Sequence, residues 1–211
     1  ADGLRKARIE PLHLAAKEGL ALINGTHLMC AEGALLSHDA YALWLSACAA
    51  LAMSIDACRA TDAFLDHRLY LARGHNWAGV SAGLTRGLLQ GSTIITSHVE
   101  NDPRVQDPYS LRAAPTVLGA ARSALVDIEL AVEAELGAVT DNPLVFAAGA
   151  PGRGDIVSGA NFHGMPVAMP LDFLAIALCH IAGVSERRSY LMTGAFEPES
   201  HLKPFLAPRP G

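Results

Sequence analysis

Sixteen consecutive residues, Ala40–Ile55 (AYALWLSACAALAMSI), carry no charge and contain neither Gly nor Pro. As an α-helix this run extends about 24 Å, short of the ~30 Å hydrocarbon core of a bilayer. Glu32 and Asp39 precede it, and Asp56 and Arg59 follow it. A helix that is apolar on nearly every face, yet too short to span a membrane, belongs in the core of a large helical protein. The rest of the chain can supply that core, since 51% of its 211 residues are apolar and only 18% are charged. That balance is the reverse of a disordered chain. A net charge of −5 leaves no basic footprint for nucleic acid or an anionic membrane surface. The four cysteines, Cys30, Cys48, Cys58 and Cys179, show no CxxC spacing and read as buried, reduced thiols of a cytoplasmic protein. Residues 1–10 are charged and lack the apolar core of a signal peptide.

Helical patterning dominates the chain, and the special chemistry falls at the joints. Pro11–Ile23 reads as a short helix stopped by the turn tripeptide Asn24-Gly25-Thr26. A long Ala/Leu-rich helix is expected from His27 to about His67, and a third helical region from Arg73 to about Ser97. A polar loop, His98–Gln106, follows. Asp107-Pro108 is a helix-start signal, an N-cap carboxylate with Pro at the first helical position. Another helix runs from about Thr116 to Leu136 and is broken by Thr140-Asp141-Asn142-Pro143. Residues 144–164 are Gly-rich and irregular, with Leu144-Val145-Phe146 and Ile156-Val157 as short strands. The last helix is expected from Pro170 to about Tyr190, before a proline-rich tail. Helices this apolar over several faces are satisfied in a bundle larger than one such chain, which points to a homo-oligomer.

Among chemistry-bearing residues, DPRVQDPYSLRAAP (Asp102–Pro115) is the most informative segment. Gln106, Tyr109 and Arg112 are spaced by three, so one helical turn would present them on a common side. An amide, a phenol and a guanidinium facing one space suit an amino acid or another carboxylate, which Arg holds bidentately. The same spacing also describes an exposed helix start with a polar face. Asn24 is either part of a left-handed helix cap or an amide aimed into a site. Phe162, in Asn161-Phe162-His163-Gly164, either lines a pocket or plugs a core, and His163 reads as a satisfied structural histidine. The alternating His98, Glu100 and Asp102 read as solvated loop charges rather than a metal site, and Arg104 as a loop charge.

Taken in order, KEGLALINGT (17–26), RVQDPYSLR (104–112), VTDNPLVF (139–146), GANFHG (159–164) and SERR (185–188) resemble the aromatic amino-acid lyases. Among these, the histidine ammonia-lyases are the nearest in pattern. The resemblance implies a mainly α fold, a long-helix bundle with short strand segments around 144–164, assembled as a homotetramer whose sites combine several subunits. It implies a small-molecule amino-acid substrate and elimination of ammonia, with L-histidine giving urocanate. The electrophile of the family is a methylidene-imidazolone (MIO) made from an internal Ala-Ser-Gly, and no metal is involved. Residue by residue, the resemblance puts Asn24 beside the electrophile and the substrate amino group. It has Gln106 and Tyr109 hydrogen-bonding within the site, Arg112 on the substrate carboxylate, and Phe162 lining the pocket. Because that role for Arg112 agrees in kind with the residue chemistry above, the segment is taken as functional.

Several positions depart from the family pattern. Ala-Ser-Gly does not occur in the 211 residues; the nearest strings are Ser81-Ala82-Gly83 and Ser158-Gly159-Ala160. His75-Asn76-Trp77-Ala78 stands where the family has His-Pro-Gly-Gln, and His27 where many histidine lyases have Gln. Residues 1–211 are therefore expected to be a single central helical portion of a larger lyase, with the MIO-bearing and C-terminal parts outside it and the portion alone inactive. Two alternatives stand beside this reading: phenylalanine or tyrosine as substrate, and a non-catalytic helical oligomerisation portion.

Overall fold

The uncharged run does lie in the middle of a helix. The computed structural model describes residues 2–147 and 154–209, in the order α1 (Asp2–Ala7), α2 (Glu18–Ala21), α3 (His27–Ala57), α4 (His67–Arg73), α5 (Asn76–Leu88), α6 (Thr93–Thr96), α7 (Tyr109–Arg112), α8 (Ala114–Leu136), β1 (Leu144–Ala147), β2 (Gly154–Val157) and α9 (Met165–Thr193). The expected fold class, mainly α with two short strands, holds. β1 and β2 pair antiparallel, Leu144 opposite Val157 and Ala147 opposite Gly154. Part of the predicted irregular region, 148–153, lies outside the described residues.

α8 lies among α3, α5 and α9. α3 and α8 run antiparallel: Trp44 Nε1 donates to the Leu118 carbonyl at 3.1 Å, and fourteen residues away on each helix Cys30 Sγ approaches the Val132 carbonyl. One core cluster gathers Trp44, Leu51, Ile55, Leu111, Leu118 and Ile181, and a second gathers Cys30, Ala40, Leu125, Ile128, Val132 and Val167. Each large aliphatic side chain so buried is worth about 1.5–3 kcal/mol. α5 crosses α8 at Gly119, where a Cβ would strike the Ala78 backbone and come within 2.7 Å of the Trp77 carbonyl carbon. The departure at 75–78 therefore has a packing consequence. The Trp77 ring stacks 4.6 Å from the buried Arg122 guanidinium, which also lies over Tyr41 and Trp44 and pairs with Glu129 at 3.0 Å.

Several boundaries differ from the sequence expectation. Pro11–Ile23 forms only the four-residue α2, which has no buried residue to hold a longer helix. The helix from His27 stops at Ala57, ten residues early. Its end is closed by Arg104, whose guanidinium donates to the carbonyls of Cys58 and Arg59, a cation at the negative end of a helix. Arg104 is thus an enclosed clamp, also bound to Asp102 at 2.7 Å, and not a loop charge. α4 then starts at an Asp66 cap, accepting from Arg68 N at 2.8 Å, and ends on left-handed Gly74. α9 begins at Met165, because Pro166 occupies the first turn, where a missing N–H costs nothing; Pro170 sits one turn inside. α9 buries Val167, Leu174, Ile181 and Arg188 at a strict interval of seven, a narrow seam. Met165, Met169, Phe173 and Ile176 on its flank stay exposed. By length and apolarity α3 and α9 both match a membrane span, and α3 is the more buried of the two. Cys30, Cys48 and Cys58 are buried as expected, whereas Cys179 is exposed on α9. Burial pushes the Cys48 and Cys58 thiols up to about 11.

Candidate functional site

The residues singled out in the sequence fall into two groups at opposite ends of the bundle. Asn24 and Phe162 belong to one end, and Gln106, Tyr109 and Arg112 to the other.

The Arg112 end is built around a buried carboxylate. Asp107 was expected to cap a helix, but Pro108 takes the cap position with no side-chain cap bond. Asp107 is buried and accepts instead from Thr61 N at 3.1 Å and Thr61 Oγ1 at 2.5 Å. These bonds tie the 98–107 loop to the segment after α3. The Asp107 carbonyl in turn accepts from Arg112 Nε at 2.7 Å. The terminal nitrogens of Arg112 donate to no group among the described residues, so the fork that recognises a carboxylate is open. The guanidinium carbon lies 5.7 Å from the centre of the Tyr109 ring, and Tyr109 is 75% exposed. Gln106 is exposed and lies before the helical turn, not on it. It still lines, with Arg112, Thr61 and Phe64, a cleft of about 340 Å³. His98 and Asp102, weighed as cation ligands, have protein partners: His98 Nδ1 bonds the Ile94 carbonyl at 2.7 Å and Asp102 binds Arg104. Arg104 holds the Asp102 carboxyl down at about 2.

At the other end, Asn24 follows α2. Its Nδ2 donates to Asp141 Oδ1 at 3.2 Å. Asp141 is buried and also accepts from Lys17 Nζ and, at 2.7 Å, from the Asn142 amide. The Lys17 bond first, then the Asn142 amide, hold this carboxyl below the usual range. Neither Asn24 nor Gly25 is left-handed, so this is not a left-handed cap. Gly25 is there for close approach, since a Cβ would come within 2.8 Å of the Thr140 carbonyl. Asn142 Oδ1 accepts from Gly159 N at 2.7 Å and Ser158 Oγ at 3.3 Å, and Asn161 Nδ2 reaches the Val139 carbonyl at 3.4 Å. The 139–142 turn therefore holds both Asn24 and the loop carrying the half-exposed Phe162. Met165 N donates to His163 Nδ1 at 3.3 Å, at the start of α9. Asp141 and Lys17 were given no role by the sequence reading, which saw Thr140–Pro143 as a helix breaker and 17–26 and 139–146 as family motifs. The signal available was three successive residues, Thr140, Asp141 and Asn142, able to hydrogen-bond through short side chains.

Arg112 lies two residues before the start of α8 and Asp141 follows its end, so 23 residues of helix separate the two groups. That is about 35 Å at 1.5 Å per residue. No single amino acid touches both groups within one protomer.

Comparison with known proteins gives this arrangement a context. The aromatic amino acid lyase family matches residues 1–211. A histidine ammonia-lyase of Sorangium cellulosum is 47% identical across the whole chain, which covers 41% of that relative. The crystal structure of histidine ammonia-lyase from Trypanosoma cruzi superposes with a TM-score of 0.82 at 37% identity, over 97% of this chain and 36% of that one. A tyrosine aminomutase from Streptomyces globisporus gives 0.86 at 33% identity, over 100% and 42%. The chain spans about two fifths of the length of the curated relatives it matches. With the family matching from the first residue to the last, the chain belongs to the aromatic amino acid lyases.

Proposed function

We propose that residues 1–211 are the central helical portion of a histidine ammonia-lyase, which eliminates ammonia from L-histidine to give urocanate. The observation that carries this reading is the pair of half-sites. An Arg fork left open beside a phenol ring matches a carboxylate. An Asn amide anchored through its nitrogen offers its carbonyl to an amine. An α-amino acid has both groups on one carbon, so the two half-sites must meet, and in one protomer they are about 35 Å apart.

A two-fold, antiparallel pairing of protomers brings the Arg112 end of one against the Asn24 end of the other, and does so twice. The apolar stripe Met165, Met169, Phe173 and Ile176 on α9 supports such an assembly, which the family resemblance makes a homotetramer. In this reading Arg112 binds the substrate carboxylate, Gln106 and Tyr109 hydrogen-bond beside it, Asn24 accepts from the amino group, and Phe162 packs on the ring. The MIO electrophile, formed from an Ala-Ser-Gly absent from these residues, supplies the activation that lets a weakly acidic β-proton leave. The open carbonyl of Asn24 and the half-exposed Phe162 ring fit a place beside it. The reading carries with it a cytoplasmic enzyme that uses no metal and engages neither nucleic acid nor membrane.

Likeness to a tyrosine aminomutase favours a second reading in which the substrate is tyrosine. Assaying the full-length enzyme with L-histidine, L-phenylalanine and L-tyrosine separates the two. Urocanate from histidine is expected; turnover of phenylalanine or tyrosine with none of histidine overturns the substrate. The 211-residue chain alone is expected to release no urocanate.

A further inference from the structure

Asn24 lies between α2, a four-residue helix with no buried residue, and the buried Thr26; these place its backbone and leave open which way round its amide sits. What sets it is a stitch across the chain. Lys17 and Asn24, on either side of α2, both bind one buried carboxylate, Asp141, more than a hundred residues later. An ionised carboxylate only accepts. The amide must therefore turn its nitrogen toward Asp141 and its Oδ1 away, and Oδ1 accepts from no group among the described residues. Without that carboxylate the two faces of the amide are nearly equivalent in shape, and a flip converts the outward acceptor into a donor. A donor repels the N–H groups of an amine.

We infer that Asp141, held by Lys17, is a positioning residue that fixes the Asn24 amide with its carbonyl outward, and so sets the selectivity of that half-site for an amino group. This rests on the function proposed above. Asp141 itself touches no substrate; it acts through Asn24.

The test uses the full-length enzyme with Asp141→Asn, Asn24→Ala and the double variant. The readouts are kcat/KM for L-histidine, the inhibition constant of urocanate, and Tm. Urocanate keeps the ring and the carboxylate but lacks the amino group, so it reports the pocket without the contact in question. Asp141→Asn should lower kcat/KM about tenfold, the worth of a hydrogen bond to a charged group, while urocanate binding stays within about twofold. In the Asn24→Ala background Asp141→Asn should cost nothing further. Lys17→Gln should give the same pattern more weakly, and it serves if Asp141→Asn does not fold. The inference is overturned if urocanate affinity falls as far as kcat/KM, or if the two losses multiply in the double variant. It is also overturned if Asp141→Asn is silent while Asn24→Ala is damaging. A silent Asn24→Ala overturns the functional reading beneath it, and the inference with it.

Discussion

If the half-sites come from different protomers, two dead enzymes should make a live one. The perturbations are Asn24→Ala and Arg112→Ala in the full-length protein, expressed separately and then together. Removing an Arg that holds a carboxylate costs about 2–5 kcal/mol, so Arg112→Ala should retain about 1% of kcat/KM, and we expect a comparable loss from Asn24→Ala. In one protomer these residues lie about 35 Å apart along α8, so each site draws Asn24 from one subunit and Arg112 from another. With equal expression and random assembly, half the protomers retain Asn24 and half retain Arg112. About a quarter of the sites then retain both. Co-expressed enzyme should therefore show about a quarter of wild-type turnover, some 25-fold above either parent. Co-expression is needed, because assemblies already formed need not exchange subunits. If the mixed enzyme shows only the average of its parents, both residues serve the same site from one protomer, and the antiparallel pairing is wrong.

The two arginines of the 104–112 segment should separate cleanly. Arg112→Ala is expected to lower kcat/KM with Tm nearly unchanged, whereas Arg104→Ala should lower Tm by several degrees, because it uncaps α3 and leaves Asp102 unpaired. Gly119→Ala should destabilise by about 2 kcal/mol or more in urea titrations, since its Cβ meets the backbone of α5. Gly87→Ala, with open space around it, should stabilise by about 0.5–1 kcal/mol; equal stabilities would refute the packing at the crossing. The carboxyl of Asp102 is lowered to about 2 by Arg104, so its contribution is complete above the unfolded value near 4 and is lost as pH falls toward 2. Tm followed from pH 5 to 2 should drop in wild type, and drop less in Asp102→Asn.

What could be read from the sequence divides by the range of the interactions involved. The helices α3 and α8 were legible because their apolar content and the turn at Thr140–Pro143 are local signals. The start of α3 at His27 and the end of α8 at Leu136 were legible too, but the end of α3 was not, because it is set by Arg104, 46 residues beyond Cys58, and no local pattern in 57–59 carries that. Pro170 misled in the same way: taken locally as the start of the helix, it was overruled by Pro166 at the first turn and by a seven-residue seam packed on α8 and α3. The candidate residues were found through the order of their motifs, yet their spacing implied a single face that exists only for Tyr109 and Arg112. Gln106 shares a cleft with Arg112 by way of the loop that Asp107 pins to Thr61. Asp141 had the least local signal of all, because a carboxylate in a turn looks like any other until the two groups it binds are known. That is the physical reason a composite site hides in a sequence. Each group is a few polar residues on short elements, fixed by bonds spanning tens to more than a hundred residues, and in the proposed assembly its chemical sense would come from the other group on a second protomer.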